Sequence, residues 1–227
     1  MNKVAKRRHK PRHSFHVTGK TKGQKQYLQS INDNEITICS GFAGTGKTLL
    51  AVGMAMGLYQ KDESYSKILI VRPAIEACNE KLGFLPGGIN EKMRPLIQPI
   101  VDSLRFFIKD EGYLSTLLPN ELGQSPIEIS SLAYMRGRTF NNCIVVFDEA
   151  QNSSPQQMKL FLTRIGDNCK VIIEGDVTQS DLSDDPKENG LWDAINRLRG
   201  VKGIGIVALE KRDIVRSPIV ARILERY

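Results

Sequence analysis

The sequence predicts an α/β fold: a mainly parallel sheet flanked by helices, forming a single core domain behind a basic N-terminal arm. Three observations carry this prediction. Short runs rich in Ile and Val alternate with helix-like segments, which is the pattern of βαβ units. A glycine-rich turn, GFAGTGKT (41–48), stands between the first apolar run and a helical stretch. Two later apolar runs, CIVVF and VIIEG, end at the acids Asp148 and Asp176. In an open parallel sheet, ligands bind outside the carboxyl ends of the strands, so both acids should lie on that edge.

The elements follow in order. ITICS (36–40) reads as a strand, TLLAVGMAMGLYQ as a helix of small and apolar residues, and KILIV (67–71) as a second strand. Residues 72–95 carry Pro73, Gly83, Pro86, Gly87, Gly88 and Pro95 and read as loop. LIQPIVDSLRFFI (96–108) is an amphipathic helix interrupted at Pro99. IEIS (127–130) and CIVVF (143–147) are short strands. PQQMKLFLTRI (155–165) follows Ser-Ser, a good helix start with proline in the first turn. KVIIEG (170–175) is a buried strand. GLWDAINRL and SPIVARILERY are helices on either side of a last strand, GIGIVAL (203–209).

The 227 residues are 41% hydrophobic and 25% charged, which suits a globular core. No apolar stretch approaches the roughly 18 residues of a membrane span, and the basic start has no apolar segment after it to make a secretory signal. The four cysteines, Cys39, Cys78, Cys143 and Cys169, form no C-x-x-C pair and read as reduced thiols without a zinc site. The net charge of +7 is concentrated at one end: residues 1–25 hold nine Lys and Arg and no acid, leaving the rest at −2. Residues 1–20 are therefore read as a flexible basic arm, and 21–227 as the folded domain. Such an arm is a solvated tail or a contact for nucleic-acid phosphates, and the two are compatible. His9, His13 and His16 lie there without a scaffold for a metal.

GFAGTGKT fits G-x-x-x-x-G-K-[ST] between a strand and a helix, the context the phosphate-binding loop requires. Gly41, Gly44 and Gly46 let the backbone turn and aim N–H groups at phosphate oxygens, and the helix start adds positive potential. Gly41, Phe42, Ala43, Gly44, Thr45, Gly46, Lys47, Thr48 and Leu49 together form the expected nucleotide-binding segment. Lys47 should reach the β- and γ-phosphates. Thr48 and Asp148 should hold Mg²⁺. Glu149 is placed to polarise an attacking water as general base. GDVTQ (175–179) supplies Gln179 as a sensor of the γ-phosphate. Taken in this order, the motifs point to a P-loop NTPase with a RecA/helicase-like core. No N-K-x-D guanine signature is present, and Gln24 or Gln26 is placed to read adenine.

Together these stretches resemble the PhoH-like family of P-loop ATPases, whose core is similar to superfamily 1 helicases. The resemblance spans about residues 18–227. It rests on TKGQKQYLQSI, GFAGTGKTLLAV, VRPAIEA, EKLGFLPG, YMRGRTF, FDEAQNSSPQQMKLFLTRIG, EGDVTQSDL and RDIVRSPIV. It implies ATP and Mg²⁺ as cofactors, with Gln24 as the adenine reader and Asp148 and Glu149 as the metal and hydrolysis pair. It also implies RNA or single-stranded nucleic acid as partner, and a homo-oligomer, with a hexameric ring among the forms expected. A bacterial or phage origin would place the protein in the cytoplasm of the bacterial or phage-infected cell. Phe42 stands where the family usually shows Pro, Cys78-Asn79 where one Gly is expected, and Ser217 where a His is expected. Some relatives carry a fused nuclease, for which this chain leaves no room.

An arginine from a neighbouring subunit commonly accelerates phosphoryl transfer. Arg216 ranks first as that finger, ahead of Arg164, Arg138 and Arg212. Arg72 and Pro73 close the second strand on the nucleotide edge, either facing nucleic acid or serving a structural end. Phe84, Tyr134 and Phe140 are the loop candidates for base stacking, too few for base-specific recognition, so backbone-led binding of single strands is expected. The leading reading is a helicase-type ATPase on RNA or single-stranded nucleic acid. Its rival is a nucleotide-dependent RNA- or protein-binding switch with slow hydrolysis and no unwinding. A small-molecule phosphotransferase is disfavoured, because Asp148-Glu149 promotes attack by water.

Overall fold

The computed structural model describes residues 15–73, 89–119, 125–183 and 185–215. The strands are β1 (Ile36–Gly41), β2 (Lys67–Arg72), β3 (Ile127–Ser131), β4 (Cys143–Phe147), β5 (Cys169–Gly175) and β6 (Ile204–Leu209). The helices are α1 (Lys22–Asp33), α2 (Lys47–Lys61), α3 (Ile89–Phe107), α4 (Glu111–Leu117), α5 (Pro155–Leu162) and α6 (Gly190–Leu198). Among the described residues the sheet has six strands in the order β3-β2-β4-β5-β1-β6, every pair parallel.

Alternation along the strands sends successive side chains to opposite faces. Ile68, Ile70, Ile144, Val146 and Ile172 pack under α1, α2, α3 and α4 with Tyr27, Leu50, Met56 and Leu104. Leu69, Val71, Val145, Phe147, Val171 and Ile173 face α5 and α6 with Met158, Phe161 and Leu191. With both faces covered, the central strands read as continuous apolar runs.

The structure adds two helices that the sequence reading did not assign and changes two expectations. Residues 22–33 form α1, started by a capping box of Thr21 and Gln24. Residues 89–95, assigned to loop, open α3, which runs without a break through Pro99. Pro95 and Pro99 are four residues apart, so the missing N–H groups fall on one face and the other keeps its ladder. The short helix α4 has no counterpart in the sequence reading; Asp110 caps it by accepting from Tyr113 N–H. The folded body also begins before residue 21, because Phe15 and Val17 pack against the core. The basic residues before Phe15, most of the expected loop 72–95, and the expected helix SPIVARILERY with Arg216 and Ser217 lie outside the described residues.

The chain closes on itself at Asp213. Its carboxylate accepts from Thr21 Oγ1 (2.5 Å), Gly23 N (3.2 Å) and Glu210 N (2.9 Å), tying the turn after β6 to the start of α1. Burial pushes the Asp213 carboxyl up, but these donors outweigh it and the net shift is downward. A lowered acid contributes stability above its unfolded value that is lost as pH falls through the folded one. Asp213→Asn should therefore cost about 1.5–3 kcal/mol at pH 7. In urea melts the gap to wild type should narrow below about pH 4. A gap that stays constant on acidification would show that charge is not what Asp213 contributes.

Candidate functional site

The carboxyl ends of β1, β4 and β5 meet beside the start of α2. Gly44 and Gly46 take φ of 83° and 81°, a left-handed backbone open to glycine without steric cost. This winds residues 41–46 into the loop that ends at α2. Ala43, Gly44, Gly46, Lys47, Thr48, Leu49, Glu149, Glu174, Asp176 and Gln179 line one cavity of about 250 Å³. Most of the sequence-predicted phosphate and catalytic residues thus converge on a single site. Lys47 Nζ is folded onto the loop itself, donating to Gly41 O (2.6 Å) and Phe42 O (3.2 Å). Thr45 is buried and donates through Oγ1 to Phe42 O at 2.7 Å.

Asp148 is fully buried. Its two oxygens have separate partners. Oδ1 faces the Thr48 hydroxyl at 3.3 Å, and Oδ2 accepts from Arg72 Nε at 2.6 Å and pairs with Arg72 Nη2. Arg72 is itself 8% exposed. Of its two sequence readings, the structural one holds: it fixes one edge of Asp148 and leaves the other turned to Thr48.

Sequence reasoning missed Glu174. It reads as the tail of an apolar strand, yet it is 1% exposed, and its Oε1 accepts from Thr48 Oγ1 at 2.8 Å. Burial first, then the Asp148 charge and a hydrogen bond with it, hold the Glu174 carboxyl well above the usual range. Two buried carboxyls converging on one hydroxyl make a site that a divalent cation fits. Thr48 and Asp148 are the residues that could hold it, with Glu174 on the far side of the hydroxyl.

Glu149 has φ 54° and ψ 40°, a left-handed conformation that a non-glycine residue keeps only when its surroundings enforce it. Its Oε2 accepts from Gln151 Nε2 at 2.6 Å, and Gln151 Oε1 accepts from Asp176 N at 3.1 Å. A Cβ on Gly175 would collide with Gln151 Oε1, so only glycine leaves room for this bridge. Gln151 was also missed, although it stands in the quoted FDEAQ stretch. Asp176 Oδ1 accepts from Thr178 N and Oγ1, while Oδ2 is buried without a partner among the described residues. Gln179 is set by its N–H to Asp176 O (3.0 Å).

On the other side of the loop, Gln24 is 4% exposed. Its Oε1 accepts from Lys20 N (2.8 Å) and Thr21 N (3.4 Å), and its Nε2 donates to Thr45 O (2.9 Å). It lines a second cavity of about 230 Å³ with Val17, Gly44, Leu50, Phe107 and Val215. Gln26 is exposed. Val215 N donates to Gly44 O at 3.1 Å; the next residue, Arg216, lies outside the described residues. Arg138 pairs with Glu128 (2.7 Å) and Arg212 with Glu210 (3.0 Å). Arg164 follows α5 at the opposite edge of the sheet, its carbonyl accepting from Phe140 N. Phe140 is 3% exposed and cannot stack on a base, Tyr134 is 63% exposed, and Phe84 is outside the described residues.

A parallel α/β sheet, a glycine loop feeding a helix, and paired acids at the neighbouring strand end define a P-loop NTPase core. The family model described as "PhoH-like protein" matches residues 16–227. Relatives include a PhoH-like protein of Bacillus subtilis (44% identical over 208 residues) and one of Synechocystis (43% over 211). These alignments take in 92% and 93% of this chain. The chain belongs to the PhoH-like family. It spans only 63% and 62% of the length of those two relatives. Among solved structures, the large terminases of bacteriophage HK97 and of a thermophilic bacteriophage share the fold, with TM-scores of 0.55 and 0.54. They are 15% and 13% identical and match 91% of this chain and 46% and 50% of theirs. No helix among the described residues is long and apolar enough to cross a membrane.

The Arg72 assignment is testable by stability alone. Removing one partner of a buried pair leaves an uncompensated charge, at about 3–5 kcal/mol. Arg72→Met should lose that much in urea melts, and Arg72→Met combined with Asp148→Asn should lose less than the single change. Additive losses in the double variant would dissolve the pair.

Proposed function

We propose that the chain binds ATP with Mg²⁺ and hydrolyses it, coupling the reaction to RNA or single-stranded nucleic acid. The observation that carries this reading is the cavity shared by Lys47, Thr48, Glu149 and Gln179, with Glu149 held in a left-handed backbone beside Asp148. Lys47 would leave the Gly41 and Phe42 carbonyls for the phosphates. Thr48 and Asp148 would hold the Mg²⁺, which when bound neutralises charge on the phosphate oxygens. Glu149 takes a proton from the attacking water, and Gln151 keeps its carboxylate aimed. Gln179 and Asp176 sense the γ-phosphate position.

The base would occupy the second cavity. Thr45 O takes one hydrogen of the Gln24 amide nitrogen, leaving one to donate to an adenine ring nitrogen. The amide oxygen is already engaged by two backbone N–H groups, so Gln24 holds the loop as well as reading the base. Arg216 remains the proposed arginine finger in a homo-oligomer, a hexameric ring being the form to look for.

The test is Mg²⁺-ATP turnover with and without single-stranded RNA. Glu149→Gln should lower turnover at least about 100-fold while keeping ATP binding. Lys47→Ala should abolish turnover and weaken nucleotide binding; near-normal turnover there would sink the phosphate-loop assignment. ATP binding with scarcely any turnover, whatever RNA is added, would favour a nucleotide-dependent binding switch.

Six Lys and Arg precede Phe15. Removing residues 2–14 should weaken RNA binding and flatten its dependence on salt while sparing basal turnover. An unchanged salt slope would show that the arm does not touch phosphates.

A further inference from the structure

Cys143 and Cys169 open two adjacent parallel strands and are direct register partners. Their sulfurs are 3.7 Å apart. Cys143 is fully buried and Cys169 partly exposed. They stand at the amino ends of β4 and β5, the edge opposite the nucleotide cavity, so the proposed reaction gives them no work. Two turns clamp them from outside. Asn142 N donates to Asp167 O at 2.9 Å, and Asn168 Nδ2 to Asn142 Oδ1 at 3.1 Å. Among the described residues no His, Asp or Glu joins the two thiols in a cluster of three.

The two thiols are not equivalent. A hydrogen bond from Cys143 pulls the Cys169 thiol down to about 6 against its burial, helped by the backbone at Cys143 and Gly166. The same bond, with burial, pushes Cys143 up. Cys169 Sγ, which also lies 3.1 Å from Phe140 O, is the more exposed and the lowered thiol of the two, and the buried Cys143 thiol is within reach. Neighbouring strands lie about 4.8 Å apart, within the Cα separations of about 4.4–6.8 Å that disulfides span.

We propose that Cys143 and Cys169 form a reversible dithiol–disulfide couple, oxidised by hydrogen peroxide. The Cys169 thiolate attacks one peroxide oxygen, the O–O bond breaks, and the departing hydroxide takes a proton to become water. Cys169 is then a sulfenic acid. The Cys143 sulfur attacks the Cys169 sulfur, the S–O bond breaks, and the second hydroxide leaves with the Cys143 proton as water. Two electrons and two thiol protons pass to one peroxide, giving one disulfide and two waters.

The experiment uses the full chain treated with a small excess of peroxide, then alkylated and digested. The expected product is one linked peptide pair, Cys143 with Cys169, formed within a single chain and reversed by a dithiol reductant. Cys143→Ser should stop at a sulfenic acid on Cys169 that dimedone traps. Linkage through Cys39 or Cys78, linkage between chains, or both thiols still free to alkylate would overturn the proposal. The wild-type protein gives a second readout that no variant can spoil by misfolding. Iodoacetamide labelling of an ordinary thiol rises about twentyfold from pH 7 to pH 9. Cys169 should change less than about twofold over that range. A rise like that of an ordinary thiol would equally overturn the assignment.

Discussion

Everything at the nucleotide edge turns on two buried carboxyls that meet at one hydroxyl. Asp148 and Glu174 are 0% and 1% exposed, and each charge removed from water costs several kcal/mol even after the protein relaxes. The fold meets this in two ways. Arg72, from the end of β2, pairs with Asp148. The Glu174 carboxyl is held well above the usual range, by burial first and then by Asp148. A cation held by Thr48 and Asp148 would supply the positive charge that two buried carboxyls call for. On the proposed reading, Mg²⁺-ATP answers the electrostatic demand that these two carboxyls create.

That arrangement exists only because the sheet is parallel and ordered as it is. β4 lies between β2 and β5, so residues far apart in sequence, Arg72, Asp148 and Glu174, end on one edge. The phosphate loop is then fastened from two sides. α1 reaches it through Gln24 to Thr45 O, and the segment after β6 through Val215 to Gly44 O. Asp213 joins the two fastenings by holding Thr21 and Gly23. A loop held at both ends in this way has less conformational freedom to lose on binding.

The strands, the phosphate loop, Asp148 and Glu149 were legible in the sequence because each is a local signal: a short apolar run, a glycine spacing, an acid after a strand. What escaped depends on register or on partners. Glu174 looks like one more strand residue until β5 is set beside β1 and β4, when its carboxyl meets Thr48. Gln151 gains meaning only from Gly175, which has no side chain to block it. Arg72 was readable as a strand end but not as a partner of Asp148. α3 reads short in the sequence because Pro95 and Pro99 look like breakers, although their spacing confines the lost hydrogen bonds to one face. Phe140 looks like a loop aromatic because isolated bridges such as Phe140 to Ile165 leave no periodic trace.

The same geometry says how hydrolysis would be communicated. Gln151 is a single amide with both ends engaged, its nitrogen on Glu149 and its oxygen on the backbone of Asp176. Asp176 in turn sets Gln179. A shift of Glu149 toward an attacking water must move Gln151 or break its bond. In a packed interior, where Gly175 leaves no slack, such a change is passed on rather than absorbed. On the proposed reading, β4 and β5 therefore act as one rigid unit at the γ-phosphate: Glu149 prepares the water, Gln179 registers the phosphate, and Gln151 keeps the two from moving independently.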